Sequence, residues 1–196
     1  RIAALSYLAD EPGISHITAE AAQVRARVRA QAESVIALQP DLVLIPDWQP
    51  AEFSLALRDS GLTVYVFRTA NSIADVRQNI REFAATLGET ERGEALVARM
   101  DKELAAMTVK LKHISEPERI TVARVSTMGG SGGAGTSFDD ICRHAGVRNA
   151  GALAGLGQTD SLTREQLVQI DPDVFLLPTW DYTNKTDLEK LRNEIR

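Results

Sequence analysis

The sequence is poor in cysteine and histidine, and each shortage argues against a class of site. Its single cysteine, Cys142, excludes an internal disulfide and any zinc site built on several cysteines. Its three histidines are scattered and share no metal-ligand spacing with carboxylates. No grouping of serine, histidine and aspartate, and no pair of carboxylates, indicates catalytic machinery. The sequence therefore predicts a non-enzymatic protein without a metal site or a resident cofactor.

The chain also lacks an excess of basic residues and a long apolar run. It has 22 Lys and Arg against 27 Asp and Glu, a net charge of -5, which argues against nucleic acid as a partner. No run of 18 or more apolar residues occurs, so no membrane span is predicted. No signal peptide precedes the strand-like segment that follows Arg1, so a leader does not indicate the location.

Short apolar runs alternate with helical patterns along the first half of the chain. Residues 2–8 and 63–67 are predicted strands, and the continuous apolar run 41–45 is typical of a parallel strand buried on both faces. Residues 19–38 are mostly helical in composition, and a further helix is predicted over 51–60. The order of these segments predicts an α/β fold with mainly parallel sheets.

The middle of the chain carries the longest helical pattern. Ser72 is a predicted helix cap with Asp75 three residues on, and the pattern over 90–113 predicts a helix about 36 Å long. A helix of that length can join two lobes, although an ordinary core helix predicts the same apolar stripe. Strands and helices then resume with the predicted strands 120–125 and 174–177.

An internal repeat is the most informative feature of the sequence. Two segments, 35–48 and 167–180, each combine a helix end, Pro-Asp, an apolar strand and Pro-x-Trp. Five positions are identical, and the two copies end in Trp48 and Trp180. Two similar α/β lobes follow from this repeat. Since ligands of open α/β sheets bind outside the carboxyl ends of strands, the two tryptophans are predicted to line a cleft.

The repeat also predicts the organisation of the chain. We expect an N-terminal lobe over residues 1–88, a spanning helix over 89–116 and a C-terminal lobe over 117–196. The second copy is preceded by a strand and a helix that the first copy is expected to lack. The second lobe is expected to stop inside the helix that follows Trp180. The sequence thus suggests a chain that lacks pieces at both ends.

Four segments resemble one class of binding protein. VIALQPDLVLIPDW, SGLTVYVF, SIADVRQNIREFAATLG and LTREQLVQIDPDVFLLPTW, arranged around a long helix, resemble the periplasmic substrate-binding proteins of ABC importers, in the cobalamin and iron-siderophore class. This resemblance implies two α/β lobes joined by one helix and a bound transport ligand, which is a ferric siderophore, heme or cobalamin. It further implies an ABC permease as partner, and a location in the periplasm or, with a lipid anchor, at the outer face of the cell membrane.

The resemblance also assigns roles to individual residues. Aromatic side chains on the loops after the Pro-Asp strands line the cleft in the cobalamin binders, which implies ligand contacts by Trp48 and Trp180. A surface glutamate on each lobe docks on the permease, which implies Glu52 and, as a weaker match, Glu189. Heme-binding relatives use tyrosine or histidine as axial ligands, which makes Tyr7 and Tyr182 candidates.

The Gly-rich segment 130–135 leaves a rival function open. It matches G-x-G-x-x-G between a strand and a helix, the pattern of a nucleotide-binding α/β enzyme. No adequate second strand ending in an acid follows, and Thr136 stands where a phosphate-binding loop has lysine. The segment is then a flexible turn, or a cleft loop that meets an anionic ligand group through backbone N–H groups, Ser131 and Thr136. Arg124, near a strand end, is either a partner for a ligand carboxylate or phosphate or a member of an ordinary ion pair.

Overall fold

The computed structural model describes residues 1–125 and 132–177. By their contacts the residues divide into a first unit, Arg1–Thr69, and a second unit that begins at Ala70. The predicted lobe boundaries at residues 88 and 116, and the spanning role of the long helix, stay predictions. Ser131, Trp180, Tyr182 and Glu189 lie outside the described residues.

The first unit is built from parallel strand pairs and short helices. In chain order its elements are β1 Ala4–Ser6, a 3-10 turn Tyr7–Asp10, α1 Thr18–Ala21, β2 Ala26–Val28, α2 Ala32–Ile36, β3 Val43–Pro46, α3 Ala51–Asp59 and β4 Val64–Phe67. β1 pairs with β2 and β3 pairs with β4, both in parallel. Parallel pairing places the carboxyl ends of both partners at the same edge.

A small apolar core holds the first unit together. Val35 of α2, Ile45 of β3 and Leu57 of α3 are buried against one another. α3 ends at Asp59, one residue before the predicted end at 60, because Gly61 adopts a φ of +86°, a left-handed conformation that costs glycine little. The helix can therefore turn back immediately and deliver β4 beside β3.

The helix predicted over residues 19–38 is wrong. The structure places two short helices there with β2 between them, because Ala26–Val28 pairs with β1. Arg27 secures this strand: its guanidinium donates to Asp10 at 2.6 and 2.8 Å and to the carbonyl oxygens of Val24, Ala26 and Ala21. Tertiary pairing outweighs the helical composition. The predicted strand 2–8 is shortened as well, because the Ser6 hydroxyl accepts from the Leu8 N–H and begins a 3-10 turn.

The second unit begins with two helices that pack side by side. They are α4 Ile73–Thr86 and α5 Thr90–Leu111, and Ser72 caps α4 as predicted by accepting from the Asp75 N–H at 3.0 Å. Arg77 pairs with Asp101 at 2.6 Å, and Arg81 pairs with Glu94 at 2.7 Å. The later arginine of α4 pairs with the earlier acid of α5, and the earlier arginine pairs with the later acid. The two helices therefore run antiparallel.

A three-stranded parallel sheet follows. The remaining elements are a 3-10 turn Glu116–Glu118, β5 Thr121–Arg124, α6 Ser137–His144, β6 Arg148–Asn149, α7 Ala150–Leu153, α8 Arg164–Ile170 and β7 Val174–Leu176. The strand order is β6-β5-β7. In the second copy of the repeat, Asp173 clamps β5 by accepting from the Thr121 N–H at 2.7 Å and donating its own N–H to the Thr121 carbonyl at 2.9 Å.

The predicted fold class is confirmed. Every strand pair that the structure describes is parallel, and the longest described helix has 22 residues. Both copies of the repeated motif form a strand, β3 in the first unit and β7 in the second. None of the described helices has the length and apolar character that crossing a membrane requires.

Candidate ligand-binding site

Trp48 lies directly beyond the carboxyl end of β3, as the repeat predicts. The strand ends at Pro46, and the Gln49 N–H donates to the Pro46 carbonyl at 3.2 Å to form a tight turn. This turn leaves the Trp48 side chain outside the core, with 64% of it exposed. Single exposed apolar side chains are common on protein surfaces, so the more informative feature is its place beyond the carboxyl end of a parallel strand, where open α/β sheets bind ligands. Its position and exposure suit contact with a ligand.

A hydrogen-bonded link fixes the turn that carries Trp48. The Asp47 N–H donates to the Phe67 carbonyl at 2.9 Å, and Asp47 Oδ1 accepts from the Thr69 hydroxyl at 2.6 Å and from the Thr69 N–H at 3.1 Å. The Thr69 hydroxyl, followed by the Thr69 N–H, lowers the pKa of the Asp47 carboxyl. The segments that follow β3 and β4 are thereby tied together beside Trp48.

Replacing Thr69 by valine should raise the pKa of Asp47 toward its ordinary value, because the carboxylate loses its hydroxyl donor. The measurement is a pH titration of the Asp47 side chain by NMR in both proteins. Thr86→Val is the matched control, since it removes a threonine hydroxyl that donates within α4 to the Glu82 carbonyl. An Asp47 pKa that is equal in Thr69→Val and wild type would contradict this account of the turn.

Tyr7 lies at a second strand end in the first unit. It directly follows β1, and the Arg29 guanidinium, which follows β2, sits 4.2 Å from the centroid of its ring. The parallel pairing of β1 and β2 brings these two residues to the same edge, and the contact is a cation–π interaction. Sequence reasoning missed Arg29. Its position directly after a strand was the available signal, but β2 lay inside the segment predicted to be helical.

In the second unit, Arg124 and Thr136 also lie near the carboxyl end of a strand. Arg124 is the last residue of β5 and is partly buried. Thr136 caps α6: its hydroxyl accepts from the Asp139 N–H at 3.2 Å and donates to the Gly133 carbonyl at 2.8 Å. Thr136 thus has a structural role in the described conformation, and a ligand contact by it stays a prediction.

In the described part of the Gly-rich segment Gly132 and Gly133 are buried, and the N–H groups that follow are hydrogen-bonded within the protein. The Ala134 N–H donates to the Leu156 carbonyl at 2.8 Å, the Gly135 N–H to Asp139 at 3.4 Å and the Thr136 N–H to the Gly133 carbonyl at 3.4 Å. Phosphate-binding loops need such N–H groups free. Asp139 and Asp140 also occupy the first turn of α6, and Asp139 is itself the acceptor of the Gly135 N–H.

Asn149 holds this loop in place from the end of β6. It is 5% exposed, and its Nδ2 donates to the Gly132 carbonyl at 2.7 Å and to Asp139 Oδ1 at 3.1 Å. Its Oδ1 accepts from the Gly151 N–H at 3.0 Å and so begins α7. One buried amide therefore joins the Gly-rich loop to two helices.

Glu52 and Cys142 complete the candidates in the described residues. Glu52 is exposed in the first turn of α3, a position that leaves it accessible to a partner. Cys142 is buried, and burial, with the nearby Asp139 charge, raises the pKa of its thiol to about 11, so the thiol is unreactive. Within residues 1–125 and 132–177, no cluster of His, Cys, Asp and Glu could hold a metal ion.

Comparison with known proteins gives one family. Residues 5–194 match the family model described as periplasmic binding protein. A cobalamin-binding protein of Halobacterium salinarum is 30% identical over 145 residues, which are 72% of this chain and 38% of that protein. An uncharacterized ABC transporter substrate-binding lipoprotein of Bacillus subtilis, YvrC, is 29% identical over 152 residues, which are 74% of this chain and 47% of that protein. The chain therefore spans less than half the length of these relatives.

A solved structure shares the fold. The periplasmic heme-binding protein BhuT, in complex with two hemes, superposes with a TM-score of 0.74 and is 26% identical. The match covers 96% of this chain and 72% of BhuT.

Proposed function

The chain belongs to the periplasmic binding protein family, and from that premise we propose that it is the substrate-binding component of an ABC importer for a tetrapyrrole, either heme or a corrinoid. An iron-siderophore is the alternative cargo. The observation that carries the proposal is Trp48, whose exposed ring stands beyond the carboxyl end of β3. The relatives of this chain include a cobalamin-binding protein and a heme-binding protein.

The family is one of transport binding proteins and not of enzymes, as the sequence predicts, so the ligand is a transported substrate and not a cofactor. The rival prediction, a nucleotide-binding enzyme, is also disfavoured by the occupied N–H groups of Ala134, Gly135 and Thr136.

The chemistry of the first unit suits a large, flat, partly anionic ligand. An indole ring stacks well on a planar macrocycle. The Tyr7 and Arg29 pair supplies a second aromatic face and a cation, and a guanidinium binds carboxylates or phosphates through two parallel hydrogen bonds. Heme carries carboxylates and cobalamin a phosphate, so Arg29 can recognise either. Tyr7 is a further proposed ligand contact of the first unit. Arg124 and Thr136 are proposed as ligand contacts contributed by the second unit. Ser131, Trp180 and Tyr182 are proposed ligand contacts outside the described residues.

Delivery to a permease is the second part of the proposal. Exposed carboxylates are suited to docking on basic pockets, and Glu52 is proposed as the contact of the first unit, with Glu189 as its counterpart. The family and the lipoprotein relative support a location outside the cytoplasm. We place the protein in the periplasm or, with a lipid anchor, at the outer face of the cell membrane.

Binding can be tested by titrating the protein with heme, cobalamin and a ferric hydroxamate. We expect saturable quenching of tryptophan fluorescence by one tetrapyrrole and a Kd at least about fivefold weaker in Trp48→Ala, because a stacked ring contributes on the order of 1–3 kcal/mol. Absorbance of the bound ligand provides a readout independent of the removed fluorophore. Leu87→Ala is the control, since it removes an exposed apolar side chain in the second unit.

The possible outcomes distinguish an error in the proposed ligand from an error in the proposed site. Tight binding of the hydroxamate alone would identify an iron-siderophore binder. Equal affinity of Trp48→Ala and wild type would remove Trp48 from the site. If none of the three ligands binds to the folded protein, the proposed cargo is wrong for this chain.

A further inference from the structure

A cavity of about 290 Å³ lies in the second unit, among the turn before β5, α6 and the β6–α7 segment. It is lined by three arginines, Arg119, Arg143 and Arg148, together with the acids Glu116 and Asp139. None of these residues belongs to the ligand site proposed above. Its volume falls just below the range of about 300–1,000 Å³ that drug-sized ligands occupy, so it suits a small molecule.

The strand register explains why two of the arginines converge. Arg148 of β6 is the parallel partner of Thr121 of β5, and its N–H donates to the Ile120 carbonyl at 2.9 Å. Arg119 stands two residues before Thr121 in extended backbone. Since side chains of an extended chain alternate between faces, Arg119, Thr121 and Arg148 share one face of the sheet. The third arginine reaches the cavity from α6.

The charges around this cavity are unevenly paired. Arg119 pairs with Glu116 at 2.5 Å, and Arg143 pairs with Asp140 at 3.0 Å and Asp139 at 3.7 Å. Arg148 makes no ion pair with any residue in the described ranges. Arg148 is therefore the one arginine of the cavity wall that has no ion-pair partner within 4 Å in the described residues.

The same two arginines carry unsatisfied donors. Within residues 1–125 and 132–177, the Nε atoms of Arg119 and Arg148 are buried and have no hydrogen-bond partner. A buried donor without an acceptor is unfavourable, and more so where the group is charged. Both unsatisfied atoms belong to side chains that line this cavity, and the atoms themselves are enclosed by protein.

We propose that this cavity binds a small oxyanion of the phosphate or carboxylate class. Such an anion supplies the ion-pair partner that Arg148 lacks among the described residues, and it accepts from guanidinium groups, which match oxyanions with paired N–H donors. The Nε atoms are enclosed in the described conformation, so the terminal nitrogens meet the anion first. Asp139 and Glu116 keep the cavity from holding a highly charged ligand, because their carboxylates repel additional negative charge.

The test uses inorganic phosphate as the probe, with sodium chloride at the same ionic strength as the reference. Isothermal titration of the whole chain is expected to show saturable phosphate binding that chloride does not reproduce. Arg148→Gln should weaken the Kd about tenfold or more, since a charged hydrogen-bond donor is removed. The matched control is Arg92→Gln, an exposed arginine on α5, which should bind phosphate like wild type.

Further variants guard against a folding defect and against confusion with the tetrapyrrole site. Arg148→Lys keeps the charge and loses the planar fork, so it should retain an intermediate affinity for phosphate. Trp48→Ala should bind phosphate like wild type, whether or not the substitution weakens binding of the proposed transport ligand. Absence of saturable phosphate binding, or equal affinity in Arg148→Gln and Arg92→Gln, overturns the proposal.

Discussion

Replacing Leu57 by alanine is expected to lower the free energy of unfolding of the first unit by about 2–5 kcal/mol. The Leu57 side chain is 0% exposed and packs between Val35 and Ile45, so its loss leaves a cavity where α2, α3 and β3 meet. A small unit has few other buried apolar groups to offset such a loss. The measurement is denaturant unfolding, with hydrogen exchange of the α3 and β3 amides to locate the effect.

Leu55→Ala is the matched control for this prediction. Leu55 lies two residues earlier on α3, and 55% of its side chain is exposed, so the same truncation should cost well under half as much. Comparable losses in both variants would mean that Leu57 is not the core residue described above. A loss in Leu57→Ala without faster exchange in β3 would place the core elsewhere.

Strands bounded by local signals could be predicted from the sequence. The apolar run predicted over residues 41–45 appears as Val43–Pro46, and its partner, predicted over 63–67, appears as Val64–Phe67. Proline and glycine mark the ends of these segments, and burial on both faces requires continuous apolar residues. The position of Trp48 followed from the same signals, because it depends only on where β3 ends.

Pairings between distant segments could not be predicted in this way. β2 exists because Ala26–Val28 meets β1, and the helical composition of residues 19–38 carries no trace of that partner. Arg29 was missed for the same reason, since its place beside Tyr7 depends on the β1–β2 register. Both of these contacts are properties of the folded unit and not of either segment alone.

The role of the Gly-rich loop could not be predicted from its sequence either. Its glycines suggested a flexible turn or an anion-binding loop, and the sequence could not tell which. In the structure Gly133 is required because backbone approaches it closely: a Cβ there would lie 2.3 Å from the Leu156 carbonyl oxygen and 2.5 Å from that of Gly157. Such an approach is made by residues more than twenty positions away, so local sequence carries no sign of it.

Gly133→Ala is therefore expected to displace the loop and lower the free energy of unfolding of the second unit by about 1–3 kcal/mol. The atoms in conflict are backbone and cannot rotate away, so the Ala134 N–H bond to the Leu156 carbonyl should break. Faster amide exchange at Ala134, measured by NMR, is the readout.

Gly13→Ala is the control for this substitution, because a Cβ at Gly13 meets nothing within 4 Å and its backbone has no positive φ. The free energy of unfolding of that variant should equal or slightly exceed that of wild type, since alanine restricts the conformations of the unfolded chain. If Gly133→Ala also weakens tetrapyrrole binding while Gly13→Ala does not, the Gly-rich loop before α6 contributes to ligand binding. Unchanged exchange at Ala134 in Gly133→Ala would instead show that the Leu156–Gly157 backbone moves aside, and that the loop is not held by this contact.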